Sequence, residues 1–177
     1  SFFELAKTYG DVPLINFYYT KATDGIKPKS PVAAIYAQID ADLAKAAAYL
    51  PVNWVVGGTD IYPGRLTKGA ANTLWAQTHL YRQNWAQVVS LCNQVIASGQ
   101  YALLLNFTDV WKDGLNGAGK NSKESMFETQ MVVGQNGTPN LSAQWGTSQN
   151  VRQGGATNVW NLGWGWNTPT QKLESAW

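Results

Sequence analysis

Residues 64–101 read GRLTKGAANTLWAQTHLYRQNWAQVVSLCNQVIASGQY and predict two consecutive α-helices. Thr67 can cap the first helix, because a hydroxyl oxygen accepts hydrogen bonds from the free N–H groups at a helix start. Mostly apolar side chains recur at helical spacing in both helices: they are Ala71, Leu74, Trp75, Thr78 and Tyr81 in the first, and Val88, Leu91, Cys92, Val95 and Ile96 in the second. Only residues 82–84 separate the helices, so they must form an antiparallel hairpin, which Gly99 is placed to end.

The side chains of this hairpin also predict how deeply it is buried. Ala76 and Leu80 add apolar surface to the far side of the first helix, and a helix that is apolar nearly all round is buried. Trp75 and Trp85 are expected in the core, and Cys92 is expected there as a small apolar residue rather than a reactive thiol. Aromatic residues near the turn, with small residues where the helices approach, indicate a tetratricopeptide-like unit.

Further elements are predicted on both sides of the hairpin. The pattern at 2–9 predicts a helix that Gly10 ends, and Ser30 with Pro31 is expected to cap a helix ending at Leu50. Residues 52–64 are expected to form a loop. The remaining predicted elements are a helical turn at 107–111 packed on the hairpin, a short strand at 124–133, and a last helix begun by Thr168 and Pro169, with Leu173 and Trp177 in the core.

These elements together predict the fold class and the domain organisation. The fold class is mainly α, with tetratricopeptide-like helical hairpins, long loops and at most a short strand. Residues 1–177 are expected to be one fragment of a single domain: a helical scaffold over about 1–112, a loop-rich, tryptophan-rich segment over about 113–168, and the start of a further helix at 169–177. Helical periodicity reaches both ends without a start or stop signal, so both ends are expected to be cut inside helices of a longer protein.

Composition excludes several classes of function. The net charge is +2 and only 14% of residues are charged, with no run of lysines or arginines to follow a phosphate backbone, so nucleic acid is not an expected partner. No apolar run approaches the roughly 20 residues that span a bilayer. The single cysteine, Cys92, rules out an internal disulfide framework and a multi-cysteine metal site.

The sequence contains little that resembles catalytic machinery. The only histidine, His79, lies on a helix expected to be buried, which favours a core histidine with its hydrogen bonds satisfied over a catalytic base. Metal-ligand spacings and phosphate-binding loops are absent, so neither a metal nor a cofactor is predicted. Asp40 and Asp42 are two positions apart on a helix and cannot share a substrate. Asp60 with Asp109 remains a possible glycosidase pair in principle, but the sequence predicts that the chain is not an enzyme.

Tryptophan is the unusual feature of the composition, with nine residues in the chain. Sugars present flat C–H faces that stack on indole rings, while their hydroxyls need amide and guanidinium partners. The segment 134–167 supplies that mixture, and the predicted glycan-binding residues are Trp145, Arg152, Asn158, Trp160, Asn161, Trp164 and Trp166, joined by Trp54 in the loop before the hairpin. The alternative for each tryptophan is that it anchors its own loop to the domain, a role that suits Trp164 and Trp166 in particular.

Five stretches, taken in their order and spacing, resemble the SusD/RagB family. They are YGDVPL at 9–14, IYAQIDADLAKAAAYLP at 35–51, GRLTKGAA at 64–71, IASGQY at 96–101 and ESMFE at 124–128. The resemblance covers residues 2 to about 130 and resumes at Pro169. It implies a scaffold of tetratricopeptide-like hairpins that supports a glycan-binding face, whose contacts come from loops that differ among members.

The same resemblance implies a function and a cellular place. Family members are outer-membrane, cell-surface lipoproteins of Bacteroidetes-type bacteria that bind starch or other glycans and pass oligosaccharides or polysaccharides to a SusC-like TonB-dependent transporter for nutrient uptake. The membrane would be reached only through a lipid anchor that is absent from this sequence. Two alternatives stay open: a tetratricopeptide-like adaptor that binds a protein or peptide in a groove along residues 68–98, and a SusD-like protein that binds a nutrient other than a sugar.

Overall fold

The structure, a computed structural model, describes residues 1–112, 119–130 and 170–176. The chain divides into two compact units, residues 1–128 and residues 129–177. In the first unit the α-helices are α1 (Phe2–Tyr9), α2 (Val32–Tyr49), α3 (Lys68–Tyr81) and α4 (Trp85–Ala97), with 3-10 turns at Ala22–Gly25 and Phe107–Trp111 and one antiparallel pair of strands, β1 (Val55–Val56) and β2 (Thr59–Asp60). The second unit contains α5 (Gln171–Glu174). The predicted fold class, mainly α with at most a short strand, is confirmed.

The helical hairpin forms as predicted from α3 and α4. The Thr67 hydroxyl accepts a hydrogen bond from the Ala70 N–H at 3.3 Å, which caps α3. Gln83 takes a left-handed backbone conformation with φ 58°, and the Asn84 N–H donates to the His79 carbonyl at 3.0 Å, so the chain reverses within three residues. Gly99, at φ 63°, follows the end of α4. α3 packs against both α4 and α2, and α2 in turn packs against α1.

The first unit has an apolar core where α1 crosses α2. Its buried members are Phe3, Ala6, Val12, Ile35 and Ile39. The start of α2 is fixed by a residue outside the helix, because the Val32 N–H donates to the Asp11 carboxylate at 2.8 Å. The prediction that Ser30 and Pro31 would cap this helix is therefore wrong. Pro31 occupies the cap position, but its side chain has no atom that can accept a hydrogen bond from a backbone N–H.

The hairpin is less buried than its apolar pattern predicts. Leu74 and Leu80 are 41% and 46% exposed, so α3 is not covered all round. On α4 only Leu91 and Val95 of the predicted stripe are buried. The expectations that Trp85 and Cys92 lie in the core are wrong, since Trp85 is 59% exposed and Cys92 is exposed too. The reason is that, in the described part of the chain, the main packing partner of α4 is α3, which covers one side of it.

Several loop predictions also change. The predicted strand is not formed over 124–130, whereas the loop at 52–64 contains β1 and β2. The turn at 107–111 is present, but Phe107 and Trp111 are 73% and 74% exposed rather than packed on the hairpin. Thr170 caps α5 by accepting from the Leu173 N–H at 3.3 Å, and Leu173 is 51% exposed rather than buried. The predicted starting pair Thr168–Pro169 and the predicted core residue Trp177 lie outside the described residues.

None of the helices in the described ranges combines the length and the apolar character that crossing a membrane requires. The predicted subdivision of the chain at about residues 112 and 168 stays a prediction.

Candidate functional site

Most of the predicted glycan-binding residues belong to a segment whose placement is not described. They are Trp145, Arg152, Asn158, Trp160, Asn161, Trp164 and Trp166, all outside the described residues. Trp54, the remaining predicted residue, lies directly before β1. The geometry of a site can therefore be built from the loop around Trp54.

Trp54 is held by its own loop. Its indole N–H donates to the Leu66 carbonyl at 2.9 Å, and its ring meets the Tyr62 ring edge to face with centroids 5.5 Å apart. The Arg65 guanidinium lies 4.2 Å from the Tyr62 centroid and 5.6 Å from that of Trp54, within cation–π range of both. These contacts favour the anchoring role of Trp54 over the ligand-contact role.

Tyr101, just after α4, connects this loop to the hairpin. Its hydroxyl hydrogen-bonds the Thr67 hydroxyl at 2.7 Å, and its ring lies against Gly69 so closely that a methyl group there would lie 2.7 Å from ring atom Cζ. Next to it, the Asn53 side-chain amide donates to the Gln100 side-chain oxygen at 2.6 Å. The start of α3, the end of α4 and the Trp54 loop are thus fastened to one another at Tyr101.

The segment 121–128 is fastened to the same place from the other side. The Ala102 N–H donates to the Lys123 carbonyl at 3.0 Å, and the Leu104 N–H donates to the Glu124 carboxylate at 2.8 Å. The Thr73 hydroxyl of α3 lies 2.9 Å from the Met126 sulfur. This segment therefore forms a second wall opposite the Trp54 loop.

Between the two walls lies an open cleft of about 330 Å³, here called the loop cleft. Its polar lining residues are Asn53, Asp60, Arg65, Thr67, Gln100, Asn121, Ser122, Lys123, Ser125 and Glu128, and its aromatic ones are Tyr101 and Phe127. Phe127 is 53% exposed, so a ligand in the cleft can reach its side chain. The loop cleft has the size of a small-ligand site and combines an aromatic surface with amide, hydroxyl and charged groups.

The charges of the loop cleft balance. Arg65 and Lys123 contribute two positive groups, while Asp60 and Glu128 contribute two negative ones. A polyanion would find no net attraction there, whereas a neutral, hydroxyl-rich ligand needs this mixture of donors and acceptors.

Phe127 is a site residue that the sequence analysis does not predict. The alternating pattern around it predicts a strand, although an aromatic ring among the polar residues of 121–128 could also have indicated a ligand contact.

A second polar cluster joins α2 to the end of α3. The Arg82 guanidinium makes two hydrogen bonds of 2.7 Å to the two oxygens of Asp40, and the Trp75 indole N–H donates to Asp40 at 2.9 Å. Burial alone would raise the pKa of Asp40, but the hydrogen bonds from Arg82 and Trp75 outweigh it and keep that pKa below its ordinary value. This ion pair links α2 to α3. Asp42, the other aspartate of α2, accepts from the Gln38 side chain, so the two aspartates do not form a carboxylate pair.

His79 belongs to this cluster and is neutral at physiological pH. It is 7% exposed, and burial followed by the charge of Arg82 lowers its pKa below the ordinary 6.5. The Arg82 guanidinium lies 3.1 Å from His79 Nδ1, so Nδ1 accepts and the proton is on Nε2. This is the satisfied core histidine that the sequence predicts.

The remaining catalytic candidates have local structural partners. The Asp60 carboxylate accepts from the Tyr62 N–H at 3.0 Å, while Asp109 accepts from Lys112 and Asn106. Within the described ranges, no group of three or more His, Cys, Asp or Glu side chains is placed to hold a metal ion.

Two solved structures are similar to the chain. A SusD-like protein from Bacteroides fragilis NCTC 9343 is 27% identical and matches 97% of the chain with a TM-score of 0.71. A SusD superfamily protein from Bacteroides vulgatus ATCC 8482 is 28% identical and matches 73% of the chain with a TM-score of 0.56. The chain spans only 32% and 26% of the length of these two structures. No protein-family model and no curated protein matches the chain. The two structures confirm the resemblance that the sequence motifs indicate.

Proposed function

We propose that this chain, which is SusD-like in sequence and fold, belongs to a non-catalytic protein that binds an oligosaccharide or polysaccharide at the bacterial cell surface. The SusD-like relationship supports this proposal. On the same ground we propose that the whole protein is an outer-membrane lipoprotein and that it delivers its ligand to a SusC-like TonB-dependent transporter.

The loop cleft is the observation that carries glycan binding for this chain. The exposed Phe127 ring offers a flat surface for the C–H face of a sugar, and the Asn53 and Gln100 side chains bring amides to the same cleft. The balanced charges of the cleft suit an uncharged sugar. A saccharide stacked on Phe127 would therefore have hydrogen-bonding partners on both walls.

The tryptophan-rich segment is proposed as a further glycan contact. Trp145 and Trp160, with Arg152, Asn158 and Asn161 nearby in sequence, combine stacking surfaces with guanidinium and amide groups. Trp164 and Trp166 are included with the same chemistry. Substitutions in this segment test a contribution that is separate from that of the loop cleft.

Affinity electrophoresis of the 177-residue chain through gels containing neutral polysaccharides tests the proposal, followed by isothermal titration with the oligosaccharides of any polysaccharide that retards it. Phe127→Ala should weaken binding by about 1–2 kcal/mol, the cost of losing one stacked ring. Phe107→Ala is the matched control, because Phe107 is also an exposed phenylalanine but does not line the cleft. Trp145→Ala and Trp160→Ala, measured in parallel, should each weaken binding similarly.

The outcomes separate the parts of the proposal. Binding that only the tryptophan substitutions weaken would refute the role of the loop cleft but leave glycan binding in place. A folded chain that binds none of the polysaccharides would refute glycan binding by this chain and favour a nutrient other than a sugar.

A further inference from the structure

The loop that joins α1 to α2 combines aromatic and positively charged side chains. Residues 16–29 read NFYYTKATDGIKPK and are here called the aromatic loop. Just outside it, the Ser30 N–H donates to the Val12 carbonyl at 3.0 Å, and this bridge closes the base of the loop. Residues 16–21 and 26–29 are all exposed. The aromatic loop therefore projects from the helices into solvent.

The aromatic loop is held in shape by its own contacts. The Asp24 carboxylate accepts hydrogen bonds from the Thr20 N–H and hydroxyl, both at 2.9 Å, and from the Lys21 N–H at 3.0 Å. The Tyr19 ring lies against Gly25, where a methyl group would come within 3.2 Å of ring atom Cε1. The Tyr19 ring is thus positioned before any ligand binds, which lowers the entropy cost of binding.

Three neighbouring aromatic side chains of the loop are exposed. Phe17, Tyr18 and Tyr19 are 43%, 96% and 60% exposed. The rings of Phe17 and Tyr19 meet edge to face with their centroids 6.2 Å apart, so these two rings form one surface. An aromatic ring that is held in place yet exposed offers a flat surface on which the C–H face of a sugar can stack.

Three lysines give the same loop a positive charge. They are Lys21, Lys27 and Lys29, against a single aspartate, so the loop carries two net positive charges. The Lys27 ammonium lies 5.3 Å from the centroid of the Phe17 ring, so positive charge borders the aromatic surface. In the part of the chain that the structure describes, none of the three lysines lies within ion-pair distance of a carboxylate. Their charges are therefore available to an anionic ligand.

We propose that the aromatic loop binds an anionic polysaccharide of the uronic acid type. One sugar ring stacks on Tyr19, and the carboxylates of neighbouring sugars are attracted to the three lysines. A polymer suits a projecting loop, because its rings and charges repeat and need no enclosing cavity. The choice of a saccharide rests on the proposed glycan-binding function, whereas the requirement for negative charge comes from the lysines. The loop cleft, with its balanced charges, would take a different, neutral glycan.

An anionic membrane is the other surface that combines with lysines and aromatic rings. The apolar stretches of the loop are short, however, and each lies beside a lysine: Phe17–Tyr19 is separated from Lys21 by one residue, and Ile26 precedes Lys27. Tyrosine also carries a hydroxyl at the tip of its ring. The loop therefore lacks an apolar tip that could enter the hydrocarbon region, where lysine is costly, and this favours the polysaccharide.

Isothermal titration of the 177-residue chain with an oligogalacturonate at low ionic strength tests the proposal. The methyl-esterified oligogalacturonate is the uncharged match, and poly-L-glutamate is a charged polymer without sugar rings. The oligogalacturonate should bind at least about fivefold more tightly than either, because only it offers both stacking and charge. Added salt should weaken its binding, since the lysines are exposed.

Substitutions locate the binding on the loop. Tyr19→Ala should weaken oligogalacturonate binding about fivefold through the loss of one stacked ring. Tyr49→Ala is the matched control, because Tyr49 is 86% exposed but ends α2, outside the loop. Lys21→Gln and Lys27→Gln should each weaken binding about threefold. Lys45→Gln, which removes an exposed charge from α2, should leave it unchanged.

Several outcomes would overturn the proposal. They are the absence of binding, equal affinity for the methyl-esterified sugar or for poly-L-glutamate, and oligogalacturonate binding that the Tyr19 and lysine substitutions leave unchanged. Binding to phosphatidylglycerol vesicles in place of the oligogalacturonate would also overturn it and would assign the loop to a membrane. Retained binding of neutral polysaccharide by the same variants would show that the proposed function stands even when this proposal fails.

Discussion

Gly69→Ala should destabilise the chain even though alanine is the better helix former. In an exposed helix the change would stabilise by up to about 1 kcal/mol. At position 69, however, the new methyl group would lie 2.7 Å from Cζ of Tyr101 and closer still to Cε2 and the hydroxyl oxygen. The ring must move, and its 2.7 Å hydrogen bond to Thr67 would break. Overpacking of this kind costs about 1–3 kcal/mol, so we expect a net loss of about 1–2 kcal/mol in the free energy of unfolding.

Whether Gly69→Ala raises or lowers the free energy of unfolding depends on Tyr101, so the prediction can be tested by removing that ring. In a Tyr101→Ala background the obstructing ring is gone, and Gly69→Ala should stabilise by up to about 1 kcal/mol. The two substitutions should therefore show a coupling energy of about 2–3 kcal/mol. Urea unfolding followed by circular dichroism at 222 nm measures all four proteins of the cycle. A Gly69→Ala effect of the same sign and size in both backgrounds would refute the reasoning, because it would mean that the methyl group never meets the ring.

Three further predictions concern the contacts that fix the helices. Arg82→Leu should lower the free energy of unfolding in urea by about 2 kcal/mol, less than for a fully buried pair because the Asp40 side chain is 32% exposed; a loss below about 0.5 kcal/mol would contradict this. The pKa of His79 is lower in the folded chain than in the unfolded one, so the unfolded chain takes up a proton first and stability should fall as the pH drops below about 6.5. His79→Gln should remove that slope, and a slope unchanged in this variant would argue against the assignment. Asp11→Ala should cost about 1 kcal/mol in thermal or urea unfolding by uncapping α2, whereas Ser30→Ala should change stability little; equal losses would count against the capping role.

The hairpin could be predicted from sequence because everything that defines it is local. Thr67 caps α3 through a residue three positions away, and the turn spans three residues. The cap of α2 could not be predicted in this way. Asp11 lies 21 residues before Val32, and the bridge between Val12 and Ser30 brings the two segments together only in the folded chain.

Burial was harder to predict than helicity. Periodicity tells which side chains share a face of a helix, but it does not tell how many faces another element covers. The stripe on α4 therefore divides in two: Leu91 and Val95 face α3 and are buried, while Cys92 and Ile96 lie towards the uncovered side. Trp85, the first residue of α4, lies on the same uncovered side, which explains why it is exposed.

The candidate site shows the same division between local and long-range information. Composition predicts sugar-binding residues in the tryptophan-rich segment, which stays a prediction, and at Trp54, whose contacts favour an anchoring role instead. The loop cleft instead depends on pairs that are distant in sequence, such as Asn53 with Gln100, 47 residues apart. Phe127 acquires its importance only because residues 121–128 form a wall of the cleft. No spacing within one segment encodes that juxtaposition.

The stretches that carry the SusD resemblance explain why scaffold and ligand specificity can separate. Gly69 in 64–71 receives the ring of Tyr101 in 96–101, and Met126 in 124–128 accepts from Thr73. These contacts hold Tyr101 and Met126, which line the loop cleft, and they would break if the residues changed. Phe127, by contrast, is exposed in the loop cleft, so its substitution should change what binds without unfolding the chain. A resemblance that depends on the residues of such internal contacts identifies the scaffold. The ligand is decided by residues that are exposed in the cleft.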